Sequence, residues 1–134
     1  TVVGDGEQTR AFTYVRDISP VIAKAPMNPA AKNEIFNLGA DTPVSVNELV
    51  KVVGDVMGVV PEVRHLPARH EVVHAYSVHT KVHEAFDLAA DAETGLRDGL
   101  AKMWPWVQEH GARRTPKFDN IEVPKNLPSV WLED

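Results

Sequence analysis

The prediction of the fold starts from residues 1–17, TVVGDGEQTRAFTYVRD. Residues 1–3 predict the end of a short strand, which runs into a turn at residues 4–6 where two glycines permit positive φ. Residues 10–15 alternate well enough for a second short strand, and Asp17 is placed to cap the helix that follows. A strand at the first residue, without an initiator Met, also suggests that the chain is a fragment.

The middle of the chain predicts a buried strand and a capped helix. Residues 34–38 form a compact apolar run closed by Gly39, which is typical of a buried strand. Ser45 and Glu48 have the spacing of a capping box, and Gly58 stands where a helix that starts at Ser45 is expected to end.

Two further helices are predicted downstream, and they complete the fold class. Thr80 is placed to cap a short helix over residues 81–88, and Thr94 to cap a longer one that reaches Trp106. Strands that alternate with helices favour parallel pairing with crossover helices. We therefore predict a small mixed α/β domain of short, partly parallel strands with flanking helices over residues 1–112. The proline-containing residues 113–134 are predicted to be a tail.

Composition restricts the possible partners. The chain has 134 residues, of which 43% are hydrophobic, and its formal net charge is -5. An acidic chain lacks the surplus of Lys and Arg that nucleic acid requires, although one or two arginines can still bind a small phosphorylated ligand. The chain has no cysteine, and we expect a cytoplasmic protein without a membrane span.

Several motifs of catalysis and cofactor binding are missing from the sequence. It has no G-x-G-x-x-G turn, no P-loop and no G-x-S-x-G. Neither Tyr14 nor Tyr76 is followed four residues later by Lys. We therefore assign no catalytic or cofactor-binding residue and expect no activity from this chain alone.

Blocks in a consistent order resemble one enzyme family. They are residues 4–17, GDGEQTRAFTYVRD, then IFNLG, SVNEL and PARHEV, a helix at Lys81, and GLRDGL leading into Trp104. In this order they resemble the nucleotide-sugar epimerases and dehydratases of the extended short-chain dehydrogenase family, over roughly residues 1–108, with Ala11 where the family pattern has Asp. The resemblance implies the carboxy-terminal, substrate-binding part of an extended Rossmann-type enzyme similar to UDP-glucose 4-epimerase. The amino-terminal Rossmann domain, with NAD and the catalytic Tyr-x-x-x-Lys, would lie outside this chain.

The resemblance also implies a substrate site. Arg10 and Arg69 fall where arginines of the family contact the diphosphate, and a guanidinium suits phosphate because it binds two oxygens at once. Phe12 falls at a position that lines the nucleotide site, and Val46 at one that packs near the base or ribose. Glu71 aligns with an acidic residue that accepts a hydrogen bond from the ribose hydroxyls.

Two alternatives stay open at this point, and a third, a metal site, is considered and not predicted. The same substrate site would serve a dehydratase or a reductase, and a chain without its Rossmann half could be a non-catalytic module that self-associates through exposed apolar surface. His70 and His74, like His79 and His83, are four residues apart, the spacing at which two imidazoles share one face of a helix. Without an H-E-x-x-H motif or a cysteine, we predict structural or solvated histidines and no metal site.

Overall fold

Short strands and four helices follow one another in a computed structural model that describes residues 1–69, 73–89, 93–112 and 125. Two further segments, Ala25–Met27 and Pro29–Ala31, are short 3-10 turns. The strands are β1 Val2–Val3, β2 Thr9–Ala11, β3 Pro43–Ser45, β4 His65–Leu66 and β5 His74–Ala75. The helices are α1 Val15–Lys24, α2 Val46–Met57, α3 Thr80–Phe86 and α4 Leu96–His110.

The strands form two small sheets of mixed direction. β1 pairs with β4 in parallel, with Val2 opposite His65. β2 lies at the centre of the other sheet, antiparallel to β3 and parallel to β5. The predicted class, a mixed α/β domain with partly parallel strands, is confirmed.

Helix α2 has the boundaries that its sequence predicts. The Ser45 hydroxyl accepts a hydrogen bond from the Glu48 backbone N–H at 3.1 Å, which satisfies one of the donors that every helix start leaves without a partner inside the helix. At the other end Gly58 adopts the left-handed conformation, with φ of 70°. Both the cap and the terminating glycine depend only on neighbouring residues in the chain, which is why the sequence predicts these two boundaries.

Asp17 does not cap α1, so that prediction is wrong. The helix begins at Val15, which makes Asp17 its third residue, and Tyr14 occupies the N-cap position without a side-chain cap. The Asp17 carboxylate instead accepts two hydrogen bonds from Thr94, one from the backbone N–H at 2.7 Å and one from the hydroxyl at 2.9 Å. The N-cap of α4 is Gly95, so the prediction that Thr94 caps this helix is wrong as well.

Residues 34–38 do not form a strand, so that prediction is also wrong. Their backbone has no regular structure, and the Ile35 side chain is 86% exposed. An apolar run indicates which side chains favour burial, but a strand also requires a neighbouring strand, and no described strand pairs with this segment. Lys81 holds the segment through hydrogen bonds to Glu34 Oε2 at 2.7 Å and to the Ile35 carbonyl at 3.0 Å.

Helix α3 begins one residue before its predicted start. Thr80 is the first residue of α3, and His79 is its N-cap.

The core around the helices is small. α2 packs against α4, and Arg97 on α4 forms an ion pair with Asp55 on α2 at 3.3 Å. Among the described residues, three apolar side chains are buried, those of Val2, Val21 and Val82. The predicted tail lies outside the described residues except for Lys125.

None of the helices in the described ranges is both long and apolar enough to cross a membrane.

Candidate functional site

The turn at residues 4–6 lies at the carboxyl end of β1, where the parallel strand β4 also ends. The Gly4 N–H donates to the Leu66 carbonyl at 3.0 Å. A methyl group built on Gly4 would lie 3.7 Å from Ala68 Cβ, so the two backbones are in close van der Waals range. Since Arg69 directly follows Ala68, the parallel pair brings the Arg69 loop and this turn to the same edge.

The start of α2 packs against the same turn from its other side. The Asn47 backbone N–H donates to the Gly6 carbonyl at 3.1 Å, and the Asn47 side-chain amide donates to the Asp5 carbonyl at 3.0 Å and to Glu7 Oε1 at 2.6 Å. Gly6 is buried with φ of 81°, and any Cβ at this position would overlap Asn47 Oδ1. Asn47 is thus the main tie between α2 and the turn. Sequence reasoning did not assign it, although it lies in the block SVNEL.

Val46 is the first residue of α2 and is half-buried beside this turn. Its N–H donates to the Gln8 carbonyl at 3.1 Å, so the first three N–H groups of α2, those of Val46, Asn47 and Glu48, all have partners within the protein. A helix start can bind an anion through such groups when they lack other acceptors. Here all three N–H groups have acceptors within the protein, so the start of α2 is not available to bind an anion.

Arg10 leaves the turn on the central strand β2, opposite Val44 on one side and Ala75 on the other. Its side chain is half-buried, and Nη1 donates to the Thr9 carbonyl at 2.7 Å and to the Val73 carbonyl at 3.4 Å. These contacts orient the guanidinium against the start of β5.

Arg69 is exposed and lies four residues before Val73, the residue whose carbonyl accepts from Arg10. Four Cα steps span at most about 14 Å, so the chain keeps Arg69 near the segment that Arg10 contacts. Phe12 follows β2 by one residue and is half-buried. Glu71 lies outside the described residues. The structure therefore places Arg10, Val46 and Arg69 on the three segments that surround the turn at residues 4–6.

The described residues do not fit a dinucleotide cofactor. Such a site needs a glycine-rich turn between a strand and a helix, because the helix start binds the pyrophosphate. The turn at residues 4–6 instead connects β1 to β2, two strands. No step of a cofactor reaction is assigned to these residues.

One carboxyl group away from this edge has a clearly shifted pKa. The hydrogen bond from Lys81, together with the attraction of its positive charge, lowers the pKa of Glu34 from its ordinary value of 4.5. This pair helps to fix the irregular segment after residue 33, and the Lys81 ammonium also lies 4.9 Å from the centre of the Phe36 ring.

Comparison with known proteins finds relatives in sequence and in structure. No protein-family model matches the chain. A protein of Methanocaldococcus jannaschii, described as a candidate UDP-glucose 4-epimerase, is 32% identical over 110 residues, which cover 81% of this chain and 34% of that protein.

Two solved structures share the fold. UDP-glucose 4-epimerase of Thermotoga maritima, solved with UDP-glucose, is 27% identical with a TM-score of 0.66, over 81% of this chain and 35% of that one. dTDP-glucose 4,6-dehydratase of Bacillus anthracis, solved with NAD, has a TM-score of 0.69 at 18% identity, over 81% of this chain and 34% of that one. At the latter identity the likeness concerns the fold alone.

The chain is a homologue of the NAD-dependent nucleotide-sugar epimerases and dehydratases, which are Rossmann-type extended short-chain dehydrogenases. It spans about a third of the length of the relatives it matches.

Proposed function

We propose that this chain is the carboxy-terminal, substrate-binding part of an NAD-dependent nucleotide-sugar epimerase similar to UDP-glucose 4-epimerase. The observation that carries the proposal is the convergence of three segments on the turn at residues 4–6. One segment carries Arg10, another Val46 and the third Arg69. A diphosphate with a nucleoside at one end and a sugar at the other needs cationic and apolar groups side by side, and this edge has both.

Each proposed residue has a role that suits its chemistry. The guanidinium groups of Arg10 and Arg69 bind the diphosphate, because a planar fork of N–H donors matches two phosphate oxygens and keeps its charge. Phe12 and Val46 supply apolar contact for the nucleoside, and Glu71 accepts hydrogen bonds from the ribose hydroxyls. Anchoring the diphosphate leaves the sugar itself free to turn, which suits an epimerase.

The chemical step belongs, in this proposal, to the part of the relatives that lies outside the match. That part would supply NAD and the catalytic Tyr-x-x-x-Lys pair, and this chain alone would be inactive. A cytoplasmic location stays a prediction. We expect the amino-terminal Rossmann domain to be the main partner of the chain.

Exposed apolar side chains support a partner of that kind. Four of them between residues 15 and 35 are more than half exposed: Val15, Ile22, Met27 and Ile35. Only three described apolar side chains are buried, which is a small core for a chain of this size. Surface of this kind favours association with another domain or with a second copy of the chain.

A dehydratase or a reductase is the alternative within the same family. The same diphosphate site would serve any of these reactions, so the site itself does not distinguish them. A non-catalytic module that self-associates is the alternative outside the enzyme class.

Binding of UDP-glucose to the 134-residue chain tests the proposal. In ¹⁵N-labelled protein, weak binding is expected to shift amide resonances of residues around the turn at 4–6 and of the segment before Arg69. Arg10→Ala and Arg69→Ala are each expected to reduce the affinity by at least about tenfold, since each removes a charge-assisted contact. Uridine, which has no phosphate, should bind more weakly than UDP.

Arg97→Ala is the matched control, because Arg97 is exposed and pairs with Asp55 near the carboxyl end of α2, away from the turn at residues 4–6. Its effect on UDP-glucose binding should be small. Equal binding by wild type, Arg10→Ala and Arg69→Ala would contradict the proposed site. An upstream coding sequence without a Rossmann glycine motif would contradict the proposed enzyme.

A further inference from the structure

A second cluster of polar side chains lies away from the turn at residues 4–6, where α3 begins. His79 is the N-cap of α3, and His83 follows one helical turn later, so the two imidazole rings stack with centroids 4.3 Å apart. Glu93, which precedes α4, reaches both rings. Its Oε1 lies 2.8 Å from His79 Nδ1 and 3.6 Å from His83 Nε2.

These three atoms have the spacing of metal ligands. Zn²⁺ binds imidazole nitrogen and carboxylate oxygen at about 2.0–2.2 Å, so two ligands of a tetrahedral site lie about 3.4 Å apart. The two measured distances to Glu93 Oε1 fall on either side of that value, and all three ligand atoms lie within 4.8 Å of one another. Binding of one ion would require the shorter of these two distances to lengthen and the longer one to shorten.

The surroundings of His79 fit a metal-bound imidazole. Its other nitrogen, Nε2, lies 3.4 Å from Asp41 Oδ2. Metal-bound histidines usually donate their second ring N–H to a carboxylate or a carbonyl, which fixes the tautomer and leaves a lone pair for the metal. Binding of an ion by His79 Nδ1 requires this tautomer and replaces the hydrogen bond that Nδ1 otherwise donates to the Gly39 carbonyl at 2.8 Å.

The cluster is half-buried and borders a cavity. The side chains of His79, His83 and Glu93 are 17%, 17% and 29% exposed. They line a cavity of about 40 Å³ together with Asp17 and Leu38. A volume of this order holds one water molecule, which is the usual fourth ligand where the protein supplies three.

We propose that His79 Nδ1, His83 Nε2 and Glu93 Oε1 bind one divalent transition-metal ion, with Zn²⁺ the best match to two imidazoles and a carboxylate. The ion would tie the start of α3 to the segment before α4, next to the contact of Asp17 with Thr94. It therefore has a structural role that is independent of the proposed substrate site. Histidine spacing by itself favours solvated or structural histidines, and Glu93, brought in by the fold, is the reason to propose a metal.

Calorimetry with ZnCl₂ tests this proposal on chelator-treated chain without a histidine tag. We expect one equivalent to bind to wild type. Glu93→Gln keeps the shape of the side chain but removes its charge, and His83→Gln removes one ligand. Each is expected to weaken the affinity by at least about tenfold.

His110→Gln is the matched control, because His110 is exposed at the end of α4 and stacks on Trp106. It should bind Zn²⁺ as wild type does. The absence of stoichiometric binding to wild type would overturn the proposal, and so would an equal loss of affinity in His110→Gln and His83→Gln.

Ring nitrogen resonances of the wild-type chain give a second measurement that depends on no variant. Addition of Zn²⁺ should move the resonances of His79 Nδ1 and His83 Nε2 and leave those of His65 and His110 in place. Shifts spread equally over all four histidines would overturn the proposal. Co²⁺ in place of Zn²⁺ should give the visible absorption of a tetrahedral ion.

Discussion

The carboxylate of Asp17 on α1 accepts two hydrogen bonds from Thr94, a residue 77 positions later in the chain. The contact ties α1 to the start of α4, and both residues are half-buried. It is one of the few side-chain links between the beginning and the end of the described fold.

We expect Asp17→Ala to lower the free energy of unfolding by about 1–3 kcal/mol, since a hydrogen bond to a charged group contributes about 1.5–3 kcal/mol and this one is half-buried. Thr94→Val removes only the hydroxyl and should cost less. The double variant should cost little more than Asp17→Ala, because both changes remove the same contact. Urea denaturation measures all three, and additive losses would show that the two residues act independently.

Gly6→Ala should destabilise the chain more than Gly58→Ala. Both glycines have φ in the left-handed region, 81° and 70°, where an L-residue costs about 1–2 kcal/mol. A Cβ on Gly58 meets nothing within 4 Å, whereas one on Gly6 would displace the Asn47 amide from its hydrogen bonds. Gly58→Ala is therefore the control that isolates the conformational cost.

If the proposed substrate site is right, Gly6→Ala should also weaken UDP-glucose binding, while Gly58→Ala should not. Equal melting temperatures for the two variants would contradict the part assigned to Asn47.

Ser45→Ala should lower the free energy of unfolding by about 1 kcal/mol, the usual cost of losing an N-cap side chain. Ser45 caps α2, whereas Ser19 lies exposed within α1. Ser19→Ala is the matched change, and it should leave stability equal or slightly raised, because Ala favours a helix interior. Thermal unfolding followed by circular dichroism compares the two, and a larger loss for Ser19→Ala would contradict the assigned cap.

The Lys81–Glu34 pair predicts a pH dependence with a defined sign. The hydrogen bond and the positive charge of Lys81 lower the pKa of Glu34 in the folded chain. The pair therefore contributes stability above the ordinary carboxyl pKa of 4.5, and this contribution is lost as the pH falls through the folded-state pKa. Lys81→Met should raise the pKa of Glu34 and remove this part of the pH dependence. Carboxyl NMR titration measures the midpoint directly.

Lys51→Met is the control for this pair, because Lys51 pairs with Glu48 on α2. It should leave the titration of Glu34 unchanged. A Glu34 midpoint that stays the same in Lys81→Met would contradict the interaction.

Local signals in the sequence predicted the fold well where the structure depends on neighbours in the chain. Ser45, Glu48 and Gly58 act within one helix, so the helix could be bounded from their spacing. The strand at residues 34–38 could not be judged in this way, since a strand depends on a partner that may lie anywhere in the chain or in another domain. Asp17 and Thr94 each have the residue type of a helix cap, and only the fold shows that they bind each other.

The two candidate sites also differ in how far the sequence alone could predict their residues. Arg10 and Arg69 could be selected from the blocks that resemble the family, and the fold places both beside the turn at residues 4–6, while their role in binding stays a prediction. His79 and His83 were visible as a pair, but Glu93 follows them by ten positions and more. No spacing rule in the sequence links Glu93 to the two histidines. They lie on separate segments of the chain, and only the fold brings them together.

The central strand β2 contains only three residues, and it pairs on both sides. So short a ladder provides few hydrogen bonds to resist slippage, and the Thr9 hydroxyl adds one across to His74 Nδ1 at 2.9 Å. The length of the turn before β2 is therefore an additional constraint on the register, beside these contacts. A single residue inserted between Gly6 and Thr9 would shift the alternation by one and turn Arg10 to the opposite face of the sheet. We therefore expect this edge to tolerate a change in the length of the turn less well than a substitution within it.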